Sequence, residues 1–379
     1  MTATAKPSKK VKYIILTLLS LGILLIGCQT QVQPTTNDIA PIEEILPKQE
    51  PNSINETENN NADSNIDNDT APHNSLDDSQ LQELNVNELG EVMVLMYHII
   101  GDKEDEWERT KENFRNDLKT LYEDGYYLVT ARDFVTGNMD VPAGKTPVVL
   151  TFDDSTEGHF RFIEKENGEL IADPDSAVGI IEKFANEHPD FGMAASFYVF
   201  YPVPFRQNDH PEWRQLKYEY LTSLGMEIGN HTYGHDFLNK LNDDEVQQTL
   251  VENIQATQAL LPNYSVDTFA LTYGIYPKNK ELAVSGSYDG FEYHHKGVFL
   301  VGSNPSTSPY SKEFNPAGIP RIRAASVPSD YFNQWIEYFR KYPEKRYISD
   351  GDTATITVPK ELEDTINSDK LENKKIRLY

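Results

Sequence analysis

From about residue 90 onward, short unbroken apolar runs alternate with stretches of helical spacing. That alternation restricts the chain to folds in which parallel strands are joined by helical crossovers. Val92–Tyr97 and Pro147–Phe152 are continuous apolar runs, as strands buried on both faces require. Ala194–Phe200, Met226–Gly229, Phe269–Thr272, Val298–Val301 and Ile319–Arg323 continue the series. Between them, Thr110 is expected to cap a helix with Phe114, Leu118, Leu121 and Tyr122 on one face and Gly125 as its stop. Ser176–His188, Pro211–Leu224, Asn242–Leu261 and Ser329–Tyr342 have the same spacing. Asp243, Asp244 and Glu245 stand where a helix N-terminus favours negative charge. An open doubly wound sheet and a closed barrel both satisfy this pattern. No internal repeat is present.

Polar groups collect where the strands end. Tyr97-His98, Asp153-Asp154, Asn230-His231 and Thr272-Tyr273-Gly274 each follow a different apolar run. In barrel enzymes the loops after the strands share one mouth, and catalytic groups gather there. His231 and His235 are four apart, which on a helical turn would place both imidazoles on one side, able to bind one ion. Either pair alone is weak: adjacent Asp residues also form turns and caps, and paired histidines are common on surfaces. Together, two imidazoles and one carboxylate make a facial set that leaves positions open for water and substrate. The second carboxylate is then free to act as a base.

The chain has 379 residues, 38% apolar and 11% aromatic, enough for one large core. Its formal net charge of -26 repels phosphate backbones, so nucleic acid is excluded as a partner. Cys28 is the single cysteine, so any metal must be held by histidine and carboxylate. Residues 1–27 read as a signal peptide: Lys6, Lys9, Lys10 and Lys12 form a positive patch at the start of an apolar run from Val11 to Gly27. Leu25-Ile26-Gly27-Cys28 resembles the bacterial lipobox, which implies cleavage before Cys28 and a lipid on its sulfur. Residues 28–90 read as a disordered acidic tether; 13 Asp or Glu stand against one Lys in 29–90, too polar to offset the entropy of ordering. The expected organisation is therefore a signal peptide (1–27), a tether (28–90) and one catalytic domain (91–379), held on the outer side of the cell membrane.

Thr151-Phe-Asp-Asp-Ser155 and Glu227-Ile-Gly-Asn-His-Thr-Tyr-Gly-His235 resemble, in order, the two signatures of the polysaccharide deacetylase (NodB-homology) family. Val94-Leu-Met-Tyr-His98 resembles the opening strand of the branch acting on poly-N-acetylglucosamine, and Ala194–Val199 a strand between the signatures. The resemblance implies a distorted (β/α) barrel. It implies Asp154, His231 and His235 as ligands of a divalent metal, Zn²⁺ first, with Co²⁺ or Mn²⁺ as alternatives. It implies Asp153 as general base, Thr232 as a support of the histidine loop, and the backbone N–H of Tyr273 as an oxyanion donor. Two departures stand out: Leu271-Thr272 lacks the family's proline and an arginine, and Tyr347–Gly351 lacks the histidine that supplies the general acid. Arg321 or Arg323 is the candidate substitute for the arginine, and His98 for the acid.

The expected reaction is hydrolysis of N-acetyl, or O-acetyl, groups of an acetylated polysaccharide, either peptidoglycan or poly-N-acetylglucosamine. Tyr201, Phe205, Tyr273 and Tyr276 are candidates for stacking on sugars, with core packing as the competing role. Thr156–Pro189 is expected to be an insertion over the cleft. Two other functions compete: a non-catalytic glycan-binding lipoprotein and a glycosidase. The second needs carboxylates flanking a glycosidic bond, which adjacent Asp residues do not provide.

Overall fold

A computed structural model describes residues 76–379. Its main sheet has eight strands, all paired in parallel: β1 (Met93–Tyr97), β2 (Tyr126–Val129), β3 (Thr146–Phe152), β4 (Ser196–Val199), β5 (Glu227–Asn230), β6 (Thr268–Ala270), β7 (Gly297–Phe299) and β8 (Ile322–Arg323). Their spatial order is β7-β6-β5-β4-β3-β1-β8, with β2 also on β3. β2 pairs with the first half of β3, through Thr146–Val149, and β4 takes over at Thr151 and Phe152. Every residue of β1, β3, β4, β5, β6 and β7 is buried, which is why these strands read as largely apolar runs; the polar residues among them, such as Glu227 and Asn230, are hydrogen-bonded within the fold.

The sheet curls until its two ends meet. Ile319 bridges Phe299 of β7, while Ile322, three residues on, pairs with Leu95 of β1. The result is a distorted (β/α) barrel. Val94, Val149, Tyr198, Ala270, Phe299 and Ile319, from six different segments, fill its interior. The opposite faces, with Met93, Leu95, Leu150, Phe152 and Phe197, pack outward on the helices. Each fully buried Val, Leu or Phe contributes about 1.5–3 kcal/mol.

The helices are α1 (Asp78–Leu84), α2 (Lys111–Glu123), α3 (Ala131–Thr136), α4 (Ala177–Glu187), α5 (Trp213–Ser223), α6 (Asp243–Leu260) and α7 (Tyr331–Lys341). Thr110 caps α2 by accepting from the Asn113 N–H, and Phe114, Leu118 and Leu121 are its buried face. Asn242 and Glu245 form a reciprocal capping box at the start of α6.

Two expectations change. Residues 76–90 belong to the fold rather than to a tether. Asp77 and Gln80 box the start of α1, Leu81 is fully buried with Val86 against Ile348, and Asn87 bridges Ile348. A few well-spaced apolar side chains are enough to dock this acidic stretch. The signal peptide, Cys28 and the tether up to residue 75 lie outside the described residues. Thr156–Pro189 does not cover the cleft. It forms a hairpin, Phe162–Glu164 with Leu170–Ala172, and helix α4, and its Phe160, Phe162 and Leu170 enter the core.

Candidate metal centre and active site

Strand geometry sets the first carboxylate. Side chains two apart share a strand face, so Val149, which points into the barrel, is followed on that face by Thr151 and then Asp153. Asp153 therefore lies inside the barrel mouth, 1% exposed. Arg321, from the segment that closes the barrel, donates to both its oxygens at 2.7 Å, to Thr151 Oγ1 at 3.1 Å and to Leu300 O at 2.7 Å. Burial alone would raise the Asp153 carboxyl, but the guanidinium overrides it and holds the group below the usual carboxylate range. Of the two arginine candidates, Arg321 is the partner of Asp153. Arg323 instead pairs with Glu106 at 2.5 Å and lies over the Trp107 ring.

Asp154 leaves the strand direction. It has φ 75°, and Ser155 follows with φ 40°, so the backbone turns sharply and aims the second carboxylate away from the first. His231 and His235 approach it from the loop after β5. That loop is not a helical turn, as the four-residue spacing suggested. Thr232 and His235 both take left-handed φ values, 57° and 58°. Side chains fix this shape: Asn230 Oδ1 accepts from Thr232 N at 2.9 Å, Thr232 Oγ1 accepts from Asp236 N at 3.0 Å, and Asn253 Nδ2 donates to Thr232 O at 2.7 Å. Asn230 is in turn held by His295, whose Nε2 accepts from its amide at 3.3 Å.

One ligand atom from each of Asp154, His231 and His235 lies within 4.8 Å of the other two, the one such trio among the described residues. Asp154 Oδ1 is 3.3 Å from His231 Nε2 and 2.9 Å from His235 Nε2. This oxygen is buried, yet neither contact has hydrogen-bond geometry. His231 Nδ1–H donates to Ala270 O at 2.8 Å, so its Nε2 faces the carboxylate as a bare lone pair. A bare imidazole nitrogen and a second imidazole converging on an orphaned carboxylate oxygen are the arrangement a cation would relieve. Two N donors and one O donor suit Zn²⁺ and leave a position open. Burial would raise the Asp154 carboxyl; in their protonated form the two imidazoles override this and hold it far below its ordinary value, as a cation between them would.

His98 Nε2 lies 4.0 Å from Asp153 Oδ2. Burial holds its imidazole below the ordinary histidine range, partly opposed by Asp153 and Asp154. The sequence reading missed His159, which is fully buried and supports His98. Its Nδ1 accepts from Thr156 N at 3.2 Å, so its Nε2–H is the donor facing His98 O. The Tyr347–Gly351 stretch lies elsewhere, around the buried Glu88.

These groups line a pocket of about 430 Å³ whose other walls are Ile99, Trp107, Leu271, Tyr273 and Val301. Tyr273 has φ 57° and an exposed ring, 4.5 Å from the His235 ring. Tyr201 and Phe205 are buried and do not reach the pocket, and Tyr276 donates to Ala317 O outside it. Trp107 was not anticipated: it comes from a charged loop with no strand signal.

No curated protein matches the sequence. The family model "Polysaccharide deacetylase" matches residues 180–288, which include His231, His235 and Tyr273. Among solved structures, the chain is similar to the Streptococcus pyogenes deacetylase PplD in complex with acetate, at 18% identity over 65% of this chain and 97% of that one, TM-score 0.46. It is similar to IcaB from Ammonifex degensii at 17% identity over 66% and 97%, TM-score 0.45. A polysaccharide deacetylase from Bacillus cereus aligns at 17% identity over 66% and 68%, TM-score 0.46.

Proposed function

We propose, for a chain whose residues 180–288 match the polysaccharide deacetylase model, metal-dependent removal of acetyl groups from a cell-wall or extracellular polysaccharide. One observation carries this reading: a carboxylate and two imidazole nitrogens converge within 4.8 Å, beside a second carboxylate clamped by a buried arginine. A pure binding protein has no use for the second carboxylate. Asp154, His231 and His235 would hold the cation. A divalent ion such as Zn²⁺ lowers the pKa of water and polarises a carbonyl.

The remaining chemistry belongs to the chain. Asp153 accepts the proton of the attacking water, and Arg321 keeps that carboxylate ionised and oriented. His98 is neutral at rest, so the proton it gives the leaving amine must first reach it. Asp153, with its depressed affinity for protons, passes the proton to His98 Nε2, which lies 4.0 Å away, once the two close to hydrogen-bond distance or one water bridges them. The water proton thus ends on the amine, and acetate and a free amino sugar are released. The backbone N–H of Tyr273 is the oxyanion donor in this scheme, an effect worth about 3–4 kcal/mol.

The single Cys28 after Leu25-Ile26-Gly27 supports a lipid anchor, which would hold the enzyme on the outer membrane face beside its substrate. Release of acetate from acetylated peptidoglycan or N-acetylglucosamine oligomers, with Zn²⁺ or Co²⁺ supplied, tests the reaction. No release from any of them would leave the glycan-binding reading in its place.

A further inference from the structure

Resting on the deacetylase reading, we propose that the exposed ring of Phe237 is the platform for a second sugar of an uncharged acetylated glycan. Trp107 covers the sugar that bears the reacting acetyl group. The pocket of about 430 Å³ is far larger than an acetyl group, so part of its volume serves the glycan around it. Trp107 stands beside His98, ring centroids 4.7 Å apart, and Tyr273 beside His235. The two aromatics therefore flank the reacting centre.

Phe237 extends one of these walls. Its ring lies parallel to that of Tyr273, centroids 3.8 Å apart and planes within 2°. Phe237 is 48% exposed, about the fraction left when one face of a ring is covered and the other is open. A large apolar ring so exposed, continuous with a catalytic pocket, marks a binding surface. One face of a pyranose is lined by C–H bonds and stacks on such rings.

Trp107 is fixed in advance. Arg323 lies over its ring at 5.4 Å and pairs with Glu106 at 2.5 Å. Glu104 anchors the same loop by accepting from Arg109 at 2.7 Å and from Ser326 N at 3.0 Å. A wall held this way loses little entropy on binding. An anionic occupant is excluded because the pocket lining contains no lysine or arginine and the formal charge of -26 repels an anionic polymer; acetylation of its amines keeps the glycan from being cationic.

The test compares the Zn²⁺-loaded full chain with Phe237→Ala on an N-acetylglucosamine pentamer and on 4-nitrophenyl acetate. KM for the pentamer should rise about three- to tenfold, with kcat and the rate on the small ester unchanged, and Phe237→Tyr should restore the value. Equal KM for the pentamer overturns the platform while leaving the deacetylase intact. Pentamer binding by calorimetry keeps the two readings apart. If no acetate is released but the native chain binds the pentamer more tightly than Phe237→Ala, the platform holds and the enzymatic reading fails. Equal or absent binding overturns the platform.

Discussion

Arg321 holds Asp153 through two hydrogen bonds of 2.7 Å from a position without solvent exposure. The pair belongs to two distant segments, the strand that leads to the candidate site and the one that closes the barrel. Closure of the fold and orientation of the proposed base are therefore one event.

Removing the guanidinium should damage both. Arg321→Ala leaves a buried carboxylate without its partner, a change that typically costs about 3–5 kcal/mol. Thermal melting should fall by several degrees, and acetate release by at least tenfold. Metal content should stay near one ion per chain, because the ligand trio does not touch Arg321. Normal turnover in a folded Arg321→Ala variant would remove it from the site.

The ligand and base assignments separate in a paired experiment. Asp154→Ala and His235→Ala should each leave purified protein without bound metal, measured by elemental analysis. Asp153→Asn should retain the metal and lose turnover by at least a hundredfold. A metal-replete His235→Ala protein contradicts the trio; an active Asp153→Asn enzyme removes the base.

Support of the histidine loop gives a graded effect. Asn230 accepts from Thr232 N and keeps that residue left-handed. Asn230→Ala should weaken Zn²⁺ affinity roughly tenfold, as loss of outer partners generally does. Titration against a competing chelator reads this directly. Unchanged affinity would show that Asn253 and Asp236 suffice to shape the loop.

Stability should depend on Glu88. Burial, then the neighbouring Asp350 charge, pushes its carboxyl from 4.5 up to about 8. The folded chain thus keeps a proton that the unfolded chain releases above 4.5. The contribution is fully present below that pH and is lost as pH rises toward 8. Melting curves of the native chain should fall across this window relative to Glu88→Gln, which has no proton to lose. Parallel curves would mean that Glu88 is ionised in the fold.

Much of the site was legible because its chemistry is local in sequence. Asp153, Asp154 and His231 stand directly after buried strands, with His235 in the same loop as His231. Which of the two carboxylates points inward was not legible, because a strand buried on both faces has no polar side to show it. Seven of the eight main strands and the longer helices followed from the same apolar runs, whereas β2 (Tyr126–Val129) and the short helices α1 and α3 were not read. Tertiary structure decided what depends on distant segments meeting. Arg321 and Arg323 share a segment and a chemistry, and only the docking of the 102–108 loop, where Glu106 takes Arg323, leaves Arg321 for Asp153. Trp107 and His159 carry no local signal, since each acts through a residue of another element, Arg323 and His98. Helical spacing suggested a turn at 231–235, but hydrogen bonds from Asn230, Asn253 and Asp236 impose a left-handed loop. Residue types and their strand positions are a property of the chain; which of them meet is settled by packing between elements far apart along it.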